Sequence, residues 1–169
     1  MPPPHPLLGP LAGLVGSWTG EGTGQLPDQP SFVWRESLVV EHVGTPACSF
    51  RQRTARPDGS PFHAEDGWIR VPPELQSDEP DGRRQVELAV TSPTGILEAL
   101  SGTLQTTEDG FELQATSAMV ARTPSAGHVT DTRRRWALDG DELICEFWMA
   151  TPINPDPFHH LSARLYRDA

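Results

Sequence analysis

Six histidines, His5, His42, His63, His128, His159 and His160, are the residues of this chain best suited to hold a metal or move a proton, because imidazole titrates near neutrality and is the commonest metal ligand. Most histidines in proteins are structural, so their placement on the elements must decide which of them act. His5 falls in a proline-rich beginning and is set aside. His159 and His160 are adjacent in a predicted strand, where neighbouring side chains point to opposite faces and do not easily share one ion. Plain alternation groups His159 with Leu161, Ala163 and Leu165, and His160 with Ser162, Arg164 and Tyr166. On that count His159 is the inward residue.

The carboxylates and arginines follow the same logic. Glu65 and Asp66 are neighbours and so face opposite ways, while Glu36 lies on the apolar side of its segment between Trp34 and Leu38. A carboxyl on a core face must be paired or protonated, and an ion pair with a nearby Arg is the expected role, ahead of catalysis. In Arg133-Arg134-Arg135 the side chains alternate faces, so the run is no nucleic-acid patch; an inward Arg is able to grip a ligand carboxylate through two parallel bonds. The familiar catalytic templates are missing: no GxSxG, HExxH, paired CxxC, CxxCH or helix-opening GxGxxG occurs. All 13 basic residues are Arg, which excludes a Schiff-base or Walker lysine. The glycine-rich stretch from Gly16 to Gly24 is a poor phosphate loop, since Glu21 would face the phosphate. Alternate glycines in a strand mark a bend or a close backbone approach.

The elements that must position these residues are strands. From Phe32 to His42 the side chains alternate, with Phe32, Trp34, Leu38 and Val40 on one face. Similar runs cover Cys48 to Thr54, Phe62 to Val71, Gln85 to Thr91, Gly95 to Leu104, Phe111 to Arg122, His128 to Leu138, Glu142 to Ala150 and Phe158 to Arg167. Turn residues separate them, and Asp139-Gly140 is a hairpin signal. About nine or ten short strands without a sustained helical period predict an antiparallel up-and-down barrel or a sandwich. A barrel of that size either encloses a small apolar guest or is filled by its own side chains. Trp18, Trp34, Trp68, Trp136 and Trp148 are expected in the core and at the barrel's closure. Residues 1–10 are expected to form a flexible tail, residues 11–169 a single domain, and the acidic stretch 76–81 a loop.

Composition bounds the partners. A chain of 169 residues is one domain's worth, and its formal charge of -10 repels phosphate backbones and anionic lipid, so neither nucleic acid nor a membrane is an expected partner. Hydrophobic content of 36% with 18 prolines and 15 glycines suits turns and strands better than helices. Cys48 and Cys145 are too few for a disulfide framework and are read as reduced. With no positive region before its first apolar residues, the chain is expected to be cytoplasmic.

Several segments, in order, resemble the nitrobindin family: Leu14-Val15-Gly16-Ser17-Trp18-Thr19-Gly20-Glu21-Gly22, His42-Val43-Gly44-Thr45-Pro46, Pro61-Phe62-His63-Ala64-Glu65-Asp66-Gly67-Trp68, Ser92-Pro93-Thr94-Gly95-Ile96, Leu138-Asp139-Gly140-Asp141-Glu142-Leu143 and His159-His160-Leu161-Ser162-Ala163. The likeness runs from about Leu11 to Arg167. It implies an all-β fold, a ten-stranded antiparallel up-and-down barrel like those of lipocalins and fatty-acid-binding proteins, holding ferric haem b non-covalently. It also implies nitric oxide binding and isomerisation of peroxynitrite to nitrate, in a monomer or homodimer. The axial histidine of the family falls on His160, and a non-ligating histidine near the other haem face falls on His63. Gly127 stands where several family members carry a haem-approaching lysine. Assigning His160 reverses the alternation argument, and the proline-rich stretch 152–157 before this strand makes the necessary register reset plausible. A fatty-acid carrier is the rival expectation, with Arg164 and Tyr166 available for a carboxylate; a haem-free interaction domain is a third.

Overall fold

The structure, a computed structural model, describes residues 3–76 and 82–168. Ten strands make up the wall: β1 (Gly16–Gly24), β2 (Phe32–His42), β3 (Ala47–Ala55), β4 (Pro61–Arg70), β5 (Arg84–Thr91), β6 (Ile96–Thr106), β7 (Gly110–Arg122), β8 (Asp131–Asp139), β9 (Glu142–Ala150) and β10 (Phe158–Arg167). Each pairs antiparallel with its neighbours in sequence, and β1 pairs with β10, so the meander closes into a barrel with no free edge. All the expected strands are present, and the glycine-rich stretch is itself the first of them. Gly22 and Gly24 face inward against the rings of Trp34 and Phe32, where a Cβ would collide with them. Those glycines are therefore what allows β2 to turn large aromatics into the barrel.

The two ends of the barrel differ. At one end the segment Pro6–Leu14 folds as a kinked 3₁₀ helix and drives Leu8, Leu11 and Leu14, all fully buried, into the barrel beside Trp18. Where the sequence predicts a flexible tail over residues 1–10, the described part from Pro6 onward is a packed segment: the spacing of these leucines buries one apolar side, and that burial outweighs the prolines. His5 belongs to the same plug, since its Nδ1 accepts the Leu7 N–H at 3.2 Å. Trp18 is tied to the plug through its indole N–H, which donates to the Leu14 carbonyl at 2.9 Å, and Arg167 lies over its ring.

At the opposite end the wall opens. The β4–β5 ladder runs only from Asp66 opposite Thr91 to Arg70 opposite Glu87, so residues 61–65 of β4 are bonded to β3 and not to β5. On the far side, the β7–β8 ladder stops at Thr116 opposite Arg133. Between these two partings the barrel mouth widens into a cleft. Trp18, Trp34 and Trp136 are core residues as expected, but Trp68 is half exposed on the outer surface. The alternation that puts Gly67 inward against Phe50 puts Trp68 out. The acidic stretch 76–81 lies, beyond Gln76, outside the described residues. Cys48 and Cys145 are both free thiols.

Candidate functional site

The cleft encloses about 470 Å³ and is lined mostly by apolar side chains, among them Phe32, Trp34, Phe62, Ile96, Phe147 and Met149. That volume is in the range of small-molecule and cofactor sites. Both histidines assigned to it are there: His63 from β4 and His160 from β10, with Gly127 on the loop between β7 and β8 at its rim. His5 and His42 do not line it, and neither does His128.

His160 reaches the cleft through a β-bulge. His159 pairs with Trp148 and Leu161 with the adjacent Phe147, leaving His160 as the extra residue on β10. The bulge resets the register, so the alternation that favoured His159 does not carry across it. His159 instead lies on the outer face, its ring 4.8 Å from that of Trp148 and its Nε2 3.5 Å from Glu146. The His160 ring is set among Phe32, Phe147 and Phe158, with edge contacts of 6.0, 6.2 and 6.0 Å between centroids. Its Nδ1 donates to the Gln25 carbonyl at 2.6 Å, and the Gln25 N–H in turn donates to the His160 carbonyl at 2.9 Å. A carbonyl only accepts, so the proton sits on Nδ1 and Nε2 carries the free lone pair. Burial also holds this imidazole below its ordinary pKa. A neutral ring with one nitrogen anchored to a backbone carbonyl is the usual state of a metal-ligating histidine.

The floor of the cleft is an ionic network. Arg134, the inward member of its run, grips Glu65 with two bonds of 2.7 and 2.9 Å and Glu98 with bonds of 2.5 and 3.3 Å. Thr132 donates to Glu98 at 2.6 Å, and the guanidinium lies over the Phe147 ring. Burial pushes the Glu65 carboxyl up, but Arg134 and His63 outweigh it and bring its pKa down to about 2. Burial likewise works against the Arg134 charge, and Glu65 and Glu98 more than restore it. The bidentate grip expected for a ligand is thus given to the protein's own carboxylate. Glu36 does not take an Arg as its hydrogen-bond partner: its carboxyl accepts the Trp34 indole N–H at 2.8 Å, and burial raises its pKa. Glu98 escaped notice in the sequence, although its place on β6 between Ile96 and Leu100 points it inward.

The residues present fit a haem. Among the described residues no group of three or more His, Cys, Asp or Glu is placed to hold a bare ion. One histidine with a free Nε2 above an apolar, aromatic-lined cleft suits an iron whose other, protein-independent ligands would come from a macrocycle. Residues 7–167 match the family described as "THAP4-like, heme-binding beta-barrel domain". The chain belongs to this family. Its relatives include a protein of Mycobacterium marinum named peroxynitrite isomerase 2, 38% identical over 164 residues and covering 96% of each chain. Another is the peroxynitrite isomerase of Nocardia farcinica, 38% identical over 165 residues, covering 97% of this chain and 92% of that one. Among solved structures, that of Rv2717c from M. tuberculosis superposes with a TM-score of 0.86 at 34% identity, covering 98% of this chain and 99% of that one. The nitrobindin resemblance and the barrel it implied are borne out along the length of this haem-binding family's domain.

Proposed function

We propose that the cleft binds ferric haem b with His160 Nε2 as the axial ligand, and that the loaded protein isomerises peroxynitrite to nitrate and binds nitric oxide at the same position. The observation that carries this is the His160 arrangement: a bulge that turns the ring inward, a carbonyl that fixes the proton on Nδ1, and a neutral Nε2 left free. Relatives named peroxynitrite isomerase, 38% identical across nearly the full chain, support the reaction. When bound, ferric haem supplies an open coordination position at which peroxynitrite rearranges to its isomer nitrate, with no net proton, oxidant or reductant required.

The chain's own contribution is positioning and exclusion. The Gln25 carbonyl orients His160 and makes its Nε2 a stronger donor to the metal. Phe32, Phe147 and Phe158 confine the ring, so the protein loses little side-chain freedom on ligation. The apolar part of the wall limits the access of water to the ligand side. A fatty-acid carrier is poorly served by this site. Arg164 and Tyr166 point outward, Arg164 being paired with Glu142, and the inward Arg134 is taken up by two carboxylates that would repel a third.

Titrating apoprotein with haemin and following the Soret band tests the reading. Saturable one-to-one binding in wild type, weakened about 100-fold or more in His160→Ala and within about twofold in His159→Ala, is expected, since a metal ligand contributes at least as much as the groups that orient it. Stopped-flow decay of peroxynitrite to nitrate should then follow haem occupancy. Binding lost in His159→Ala and kept in His160→Ala overturns the ligand assignment, and no binding in wild type overturns the haem reading.

A further inference from the structure

The cleft contains two histidines that turn opposite ring nitrogens toward protein oxygens. His160 is held by Nδ1, which leaves Nε2 free. His63 is turned the other way: its Nε2 faces Glu65 Oε1 at 3.5 Å, an ion-pair distance, and the strand backbone on either side of it is fixed by Thr54, whose hydroxyl accepts the His63 N–H at 2.9 Å and donates to the His63 carbonyl at 3.2 Å. Glu65 cannot readily turn away, because Arg134 binds both of its oxygens and is itself fixed by Glu98. A carboxylate beside Nε2 favours the tautomer that carries its proton there. Nε2 therefore faces a carboxylate in one histidine and is free in the other.

We propose that Glu65, braced by Arg134, is the residue that keeps His63 from ligating: it holds the His63 proton on Nε2, so that His160 alone coordinates and the second axial position stays open to substrate. The ligation half of this inference rests on the haem reading given above; the tautomer half does not. It assigns Glu65 a positioning role, exercised through His63, for which the ionic network on the cleft floor is the support. Without it, His63 would offer a second free imidazole nitrogen to the same cleft, and a site ligated by two histidines would have no place for peroxynitrite.

Two measurements on the full chain decide the matter. In the apoprotein, long-range proton–nitrogen correlation spectra of the histidine rings should show His63 with its proton on Nε2 and His160 with its proton on Nδ1. Glu65→Gln keeps the shape of the side chain, but Arg134 will draw the amide oxygen and leave the amide N–H₂ toward His63, so the His63 proton should move to Nδ1 while His160 is unchanged. In the ferric haem complex, wild type should show a high-spin spectrum with an open position. Glu65→Ala should lose the high-spin bands in favour of a low-spin bis-imidazole spectrum, and Glu65→Ala/His63→Ala should recover them. A His63 proton on Nδ1 in wild-type apoprotein, or an unchanged tautomer in Glu65→Gln, overturns the proposal whether or not haem binds. A low-spin bis-histidine spectrum in wild type, or the same high-spin spectrum in folded Glu65→Ala, overturns the ligation half. Should Glu65→Ala not fold, Glu65→Gln carries both readouts. Failure of wild type to bind haemin would defeat the cofactor reading and leave the tautomer measurement standing on its own.

Discussion

The two ends of this barrel solve opposite problems with the same ten strands. At the closed end, Leu8, Leu11, Leu14 and Trp18 are fully buried, and among the described residues His42 is the buried polar side chain on that side. At the open end, polar and charged groups enter the interior: Glu36, Glu98, Thr132 and Arg134 are buried, and Glu65 and His63 are largely so. The closed end gains stability from apolar area removed from water, at roughly 25 cal/mol per Å². The open end gives some of that up to hold a cleft and to aim two histidines into it. Stability and chemistry are thereby separated along the barrel axis, which lets the site contain an ionic network that a small core would not tolerate.

That contrast can be broken most forcefully at Arg134. Arg134→Ala leaves Glu65 and Glu98 buried without their counter-ion, and the expected loss is about 3–5 kcal/mol of unfolding free energy, read by urea denaturation. Leu11→Ala at the closed end should cost about 2–5 kcal/mol through a cavity in the plug. Because Leu11 does not line the cleft, Leu11→Ala should leave the haemin affinity within about twofold of wild type. Coupled losses of affinity and stability in that variant would show that the ends are not independent.

The pH dependence of stability sharpens the comparison inside the network. Glu65 has its folded pKa lowered from 4.5 to about 2, so its contribution is complete above its ordinary value and is lost as pH falls from 4.5 toward 2. Glu36 has the opposite sign: its pKa is raised by burial, so its contribution is present at acid pH and lost as pH rises through the raised value. Glu36→Gln should therefore gain stability relative to wild type as pH rises above the usual carboxylate range and show little difference at about pH 4, followed by denaturant midpoints. The smallest effect is expected at the rim. No atom lies within 4 Å of where a Gly127 Cβ would stand, so Gly127→Lys fits, and a cation there should tighten haemin binding a few-fold through an exposed pair with a haem carboxylate.

Much of this was legible before any coordinates. Alternation over residues 32–42 put Trp34, Glu36 and Leu38 on one face, and all three are buried. The same rule separated Glu65 from Asp66, which now point to Arg134 inside and Arg53 outside. Alternation failed at His159 and His160, because a bulge inserts one residue and a single inserted residue exchanges the two faces for all that precedes it. The motif pointed to the residue that lines the cleft where the period of two did not. The plug was missed for a related reason: prolines argue against a regular helix, but a 3₁₀ segment accommodates them when its leucines find a hydrophobic barrel mouth to fill.

The sequence by itself determined nine of the strands, their order and most of the faces they present, because those depend on local periodicity and turn residues, while motifs read along the chain pointed to the family and its ten-stranded barrel. Which residues meet across the barrel was decided only by the tertiary structure. Arg134 joins Glu65, 69 residues away, to Glu98, 36 residues away, and the Gln25 carbonyl that sets the His160 proton is 135 residues from it. No local pattern encodes such pairings, since they arise from closure of the sheet and from a register that one bulge can shift.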